Sequence, residues 1–195
     1  MAEIPKDPQA FFGTWLPESF RPLLQRLPSG NSPGAVVFHI GERAPLSIRL
    51  LKGELLTSES LPEDAIVQVT LSEADFEPIL VRGAERLAEG AADSGQTLAV
   101  LRALTLDAER VDMIRKVAGS VVFALAVGGG EHRVLLTPGN APRNLAAAEC
   151  TVRCALEDFL AMQRGDANPF ELMMNGKIQI SGDAQIPMAL SSLLV

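Results

Sequence analysis

Hydrophobic and polar positions along this chain change period repeatedly, and each change marks an element. Short β-branched runs in "AVVFHI" (35–40), "PLSIRLL" (45–51) and "DAIVQVTL" (64–71) predict three strands, the first two forming a hairpin around "GERA". Before them, "PESFRPLLQRL" (17–27) predicts a short helix with Pro17 tolerated in its first turn, and "PSGNSPG" (28–34) ends it. After them, "SEADFEPILVRGAERLAEG" predicts a helix to about residue 88. Ser72 and Asp75 stand at capping-box spacing there, and Pro78 should bend the early turns.

The polar break "AADSGQ" (91–96) is the candidate domain boundary, separating 1–96 from 97–195. Beyond it, Leu98, Leu101, Leu104, Ala108, Val111, Ile114 and Ala118 recur at the helical period. "SVVFALAV" and "HRVLLT" predict a hairpin around "GGGE", "AECTVRCA" a third strand and "LEDFLAMQRG" another helix. Helix, hairpin, third strand and helix have then occurred twice. Val36-Val37-Phe38 matches Val121-Val122-Phe123, Asp75-Phe76 matches Asp158-Phe159, and Arg82-Gly83 matches Arg164-Gly165. Three matches in one order point to an internal duplication, with an extension in the second copy only.

Composition narrows the functional classes. Apolar residues make up 47% of the 195 residues, enough for a packed core. Aromatics are 5%, with Trp15 the single Trp and no Tyr, so aliphatic residues and Met must fill the interior. The net charge is −7 and there is no long basic run, which argues against nucleic acid and anionic membranes as partners. The N-terminus does not read as a secretory leader. The longest apolar run, in "VAGSVVFALAV", is about half of a membrane span, so no integral membrane association is expected. Cys150 and Cys154 read as buried small hydrophobes on one strand face, consistent with a reduced, cytoplasmic setting.

Catalytic signatures are absent. His39 falls in a strand and His132 beside a hairpin turn, and neither has the spacing of a nucleophile or metal site. The glycines at 128–130 read as a hairpin turn. Glu73, Asp75, Glu157 and Asp158 stand at helix starts, where the dipole favours carboxylates. The expectation is a non-enzymatic protein with no metal or cofactor.

The extension "NPFELMMNGKIQISGDAQIPMALSSL" carries the remaining signal. A helix over roughly 169–175 directs Phe170, Met173 and Met174 to one side, and Gly176 permits the left-handed turn that ends it. Ile178 and Ile180 share one strand face, and "IPMALSSLL" is a short apolar helix. Met adapts to variable apolar surfaces, so the cluster suits either a core or a lipid-lined cavity.

This pattern resembles the closing segment of the sterol carrier protein 2, or non-specific lipid-transfer, family. Pro169, Phe170, Gly176-Lys177-Ile178, Ile180, Gly182-Asp183, Met188, Ala189 and Leu190 occupy the places of that family's motif, and "CTVRCALEDFLAMQRGDANP" resembles its preceding strand and helix. The resemblance covers 97–195 as a complete module and 1–96 as a shortened copy without the last strand and helix. It implies an α+β fold, a sheet of about five strands covered on one face by helices, with an apolar tunnel between the layers. It also implies binding or transfer of an apolar lipid (fatty acid, acyl-CoA, sterol or isoprenoid) without chemistry. The residues on the family's cavity-lining segments are Phe159, Met162, Phe170, Met173, Met174, Ile178, Ile180, Met188 and Leu190. The alternatives are a module for a protein partner, or an accessory factor presenting a lipid intermediate to biosynthetic enzymes. The shortened half is expected either to extend the second module's sheet or to cover its edge. The terminal "LLV" differs from a peroxisomal tripeptide, again in keeping with a cytoplasmic protein.

Overall fold

The computed structural model describes residues 3–24, 31–89 and 103–194. Its first helix begins earlier than the sequence pattern predicts. The Asp7 side chain accepts the Ala10 backbone N–H at 3.0 Å and caps α1 (Pro8–Ala10). A π-helical stretch (Phe11–Trp15) follows, then α2 (Leu16–Leu24). The predicted residues 25–27 lie outside the described residues. The π stretch brings Phe11, Phe12 and Trp15 into the core, each at most 7% exposed.

Strands β1 (Ala35–Ile40), β2 (Leu46–Leu51) and β4 (Ala65–Leu71) form where the alternation predicts them. Between them lies a strand the sequence reading assigned to a loop, β3 (Glu54–Ser58). It pairs antiparallel with β2 through a two-residue turn in which Lys52 (φ +52°) and Gly53 (φ +80°) both adopt the left-handed conformation. Such hairpin turns usually announce themselves by Asn-Gly or Asp-Gly, and a lysine in the first place hides this one. After β4 come α3 (Glu73–Phe76), a π-helical stretch (Glu77–Val81) and α4 (Arg82–Glu89). Pro78 lies at the start of that stretch, so the expected distortion takes the form of a π segment.

The predicted boundary at 91–96, with Leu98 and Leu101, lies outside the described residues. The helix expected as far as Ala118 is shorter: a 3₁₀ turn (Ala103–Thr105) precedes α5 (Ala108–Lys116). Asp107 accepts the Arg110 N–H at 2.8 Å and starts α5 anew. Leu104 packs into the N-terminal core cluster, whereas Val111 and Ile114 belong to the C-terminal one. Next come β5 (Val121–Val127), β6 (Gly130–Pro138) and β7 (Cys150–Ala155), then α6 (Leu156–Arg164), α7 (Pro169–Met174), β8 (Gln179–Gly182) and α8 (Gln185–Leu194).

The fold is α+β. All eight strands join in one sheet, in the order β3-β2-β1-β4-β6-β5-β7-β8, in place of a separate sheet of about five. Each half makes an antiparallel hairpin, β1–β2 or β5–β6, then returns a strand parallel to the first, β4 beside β1 and β7 beside β5. The halves meet where β4 and β6 pair antiparallel from Val67↔Pro138 to Leu71↔Val134. The N-terminal half therefore extends the sheet of the C-terminal half. Two apolar clusters line the helix-bearing face, one per half, with Leu80, Val134 and Leu136 packed against both.

Side chains reinforce the seam. His132 Nδ1 and Asp75 Oδ1 are 2.9 Å apart, joining β6 to α3. Arg115 donates to the carbonyls of Asp64 (2.6 Å) and Ala65 (3.1 Å). On the other sheet face, the Gln68 amide N–H donates to the Gly139 and Ala141 carbonyls at 3.0 and 3.1 Å. Its carbonyl oxygen therefore accepts from His39 Nε2 at 2.9 Å, which fixes the proton of the buried neutral imidazole on that nitrogen. Burial, with a smaller contribution from Arg143, holds the His39 pKa below its ordinary value.

Two outcomes follow from the seam. Leu135, fully buried on β6, contacts a sheet that both halves share. Leu135→Ala should cost about 2–5 kcal/mol. The loss should appear equally in urea melts read by Trp15 fluorescence, which reports on the N-terminal half, and by far-UV circular dichroism. Non-coincident transitions would mean that the halves unfold separately. His39 binds its proton more weakly in the folded state than in the unfolded state. Stability should hold above about pH 6.5 and fall as the pH drops from there toward the lowered native pKa. His39→Gln should flatten that part of the urea-midpoint profile.

Candidate functional site

The C-terminal half assembles its helical layer from local signals that can be read residue by residue. Helix α6 starts directly after β7, with Leu156 and Leu160 one turn apart and facing the sheet. Gly165 (φ +77°) closes it in the left-handed conformation. The Asn168 side chain accepts the Phe170 N–H at 2.9 Å, and Pro169 occupies the first turn of α7. At the far end, the N–H groups of Lys177 and Ile178 both donate to the Leu172 carbonyl, at 2.8 and 3.3 Å. This wraps the chain from α7 into β8.

Gly182 sets the position of β8. It has φ +92°, and a Cβ there would collide with the Glu149 carbonyl oxygen, so only glycine lets β8 close against β7. Asp183 then accepts the Gln185 N–H at 2.9 Å and leads into α8, whose Ile186 and Leu190 point inward at 4% and 3% exposure. Lys177, in the Gly-Lys-Ile motif, donates to Asp158 at 3.3 Å and ties the approach to β8 to the first turn of α6. At 57% exposure of the lysine, this pair is worth under about 1 kcal/mol.

The nine candidate residues separate into two groups. Ile178 and Leu190 are buried, and Phe159, Met162 and Ile180 are half-buried against the same cluster. The ring centroids of Phe159 and Phe123 lie 5.3 Å apart. Phe170, Met173, Met174 and Met188 instead stand at the surface, at 64%, 36%, 74% and 57% exposure. Phe170, Met173 and Met174 do share one side of α7, as their spacing predicts. Leu172 takes the opposite side, facing inward. Leu156, Leu160, Leu172 and Ile186 complete the interior without having been candidates. The i, i+4 pairs Leu156/Leu160 and Ile186/Leu190 were the available signal.

Cys150, Val152 and Cys154 alternate inward along β7 beneath these helices. Burial, helped by the nearby Asp158 charge, pushes the Cys154 thiol up to about 11, and burial also raises Cys150. Both are therefore protonated, apolar members of the core cluster. Among the described residues, no group of three or more His, Cys, Asp or Glu could hold a metal ion, and no helix is long and apolar enough to cross a membrane.

The core of the N-terminal half is aromatic. Phe11 stacks on Trp15 and meets Phe12 and Phe76 edge-on, and Phe12 lies 4.5 Å from Phe38. Phe38 on β1 and Phe76 on α3 are thus covered by rings from the first helical segment. A pocket of about 260 Å³ lies at the edge of this half, lined by Pro8, Gln9, Ile40, Arg43, Ala44 and Leu46. Arg43 in its wall pairs with Asp7 at 3.0 Å and Glu73 at 2.9 Å.

Part of the chain resembles known proteins. Residues 100–195 match the SCP-2 sterol transfer family. Over 97 residues the chain is 31% identical to sterol carrier protein 2 of Homo sapiens, a stretch that is 45% of this chain and 17% of that relative. The match to the Rattus norvegicus protein has the same extent. The chain thus spans under a fifth of the length of the curated relatives it matches. Among solved structures, sterol carrier protein 2 like 2 of Aedes aegypti is 21% identical, covers 58% of this chain and 97% of its own, and has a TM-score of 0.38. Sterol carrier protein 2 of Yarrowia lipolytica in its apo form is 19% identical, covers 52% and 89%, and has a TM-score of 0.38. Residues 100–195, which carry everything from α5 to α8, are a domain of the SCP-2 sterol transfer family.

Proposed function

We propose that the chain binds an apolar lipid, without transforming it, between the sheet and helices α5, α6 and α8 of its C-terminal half. The observation that carries this reading is the family match, which falls on the half whose helical layer turns an aliphatic face to the sheet. The inward residues of the candidate set, Phe159, Met162, Ile178, Ile180 and Leu190, form the proposed contact surface. Phe170, Met173, Met174 and Met188 lie outside it. Fatty acid, acyl-CoA, sterol and isoprenoid lipids share the property that this surface selects, an apolar body with no directed polar contact inside.

The N-terminal half plays a different part in this proposal. Its aromatic cluster occupies the equivalent space, so the half serves as a shortened duplicate that extends the sheet and holds no ligand. The shared order of hairpin, parallel return strand and helix supports a duplicated origin.

Burial of one methylene is worth about 0.8 kcal/mol, so a sixteen-carbon chain brings roughly 12 kcal/mol before the several kcal/mol that association costs. A fluorescent fatty acid should saturate the purified protein at one per chain. Across a homologous series, affinity should rise about tenfold for every two methylenes until the chain outgrows the space. Absence of saturable binding, together with no lipid carried through purification on native mass spectrometry, would sink the reading.

A further inference from the structure

Phe170, Met173 and Met174 form an outward stripe on α7, with Leu172 on the far side of the same helix facing inward. Of the six methionines, four are exposed large hydrophobics, and all four (Met113, Met173, Met174 and Met188) stand on helices of the C-terminal half. From Asn168 to the end of the chain only Glu171, Lys177 and Asp183 are charged, and Lys177 is engaged with Asp158. The chain as a whole carries −7. The stripe is therefore a nearly uncharged apolar strip on an acidic protein.

We propose that the α7 stripe is a docking surface for a net-neutral phospholipid bilayer, a step beyond the lipid-carrier reading and resting on it. Charge selects this partner: an acidic chain is repelled by anionic headgroups, while a strip without cations gains nothing from them. Size and chemistry agree. Three side chains fall far short of the roughly 800 Å² per partner of a stable protein interface, and the strip has none of the Tyr, Trp or Arg anchors or polar register such interfaces use. Flexible thioethers and one phenyl ring suit a fluid surface of no fixed shape. So small a footprint binds weakly and releases readily, as a shuttling carrier requires. Position agrees too, because the Leu172 carbonyl on the inner side of α7 holds the start of the strand that carries Ile178 into the interior. Docking here sets the bilayer beside the lipid-facing space.

Flotation of the full chain with phosphatidylcholine vesicles tests this, alongside a variant carrying Phe170→Gln, Met173→Gln and Met174→Gln. The wild type should float with these vesicles, less so when a third of the lipid is phosphatidylglycerol. The triple variant should lose at least tenfold in bound fraction while keeping its melting temperature. Fluorescent fatty acid binding without vesicles is measured separately and should stay within twofold of the wild type. The proposal is overturned if the wild type does not float, if the variant floats equally well, or if the stripe proves to join two copies, seen as a wild-type dimer that the variant turns into a monomer. Stripe-dependent flotation with no fatty acid binding in solution would sustain the docking surface and overturn the carrier reading. Fatty acid binding without stripe-dependent flotation would do the reverse.

Discussion

The architecture hangs on the antiparallel ladder between β4 and β6. Without it, each half would present an open strand edge at the middle of what is now a continuous sheet, a template for pairing with other chains. With it, the half that lacks a closing strand gains β6 beside β4, and the half whose first hairpin ends at β6 gains β4 as its outer neighbour. Each half thus covers the other's incomplete side. The polar groups along the seam follow from this arrangement. The His39–Gln68 pair and the carbonyls of Gly139 and Ala141 satisfy one another on a face that the β6–β7 connection crosses, where an unpaired amide would cost about 1–3 kcal/mol.

The two halves fill their interiors differently. In the N-terminal half, Phe11, Phe12 and Trp15 pack over Phe38 and Phe76. Stacked and edge-on rings pack with defined geometry and few rotamers, which favours a solid support. The C-terminal half packs Phe123 against Phe159 among Leu, Ile, Val and Cys side chains, with Met162 half-buried beside them. One sheet therefore carries an aromatic cluster and an aliphatic one.

Much of this was legible in the sequence, and the failures share a cause. Strands β1, β2, β4, β5, β6 and β7 were visible because each is a short apolar run with β-branched residues, and α6 to α8 because caps and turns at Asn168, Gly176 and Asp183 bound them. β3 was missed because its turn uses Lys52 where Asn or Asp would have signalled a hairpin. The β4–β6 ladder leaves no local trace: Val67 to Leu71 and Val134 to Pro138 are apolar in a way that fits many partners. The α7 stripe shows the same limit. Spacing places Phe170, Met173 and Met174 together, but which side of a six-residue helix faces the sheet depends on the turn through Leu172, Lys177 and Ile178. Periodicity gives a face its members, and tertiary hydrogen bonds give it its direction.

For the proposed lipid-binding reading, a ligand has to enter an interior whose side chains are already buried. Among the described residues of α8, the buried apolar side chains are Ile186 and Leu190. Exposing both costs about 1.5–3 kcal/mol each. A long acyl chain returns roughly 12 kcal/mol of burial against that and against the association cost. On the proposed lipid-binding reading, that balance would favour opening for long chains and not for short ones, giving selectivity for length without polar recognition. The proposed opening would turn about a fixed corner: β8 is held close to the Glu149 carbonyl at Gly182, and Asp183 starts α8. The strand would stay in place because a missing Cβ lets it close on β7, while Ile186 and Leu190 are the buried side chains that the described part of α8 would give up.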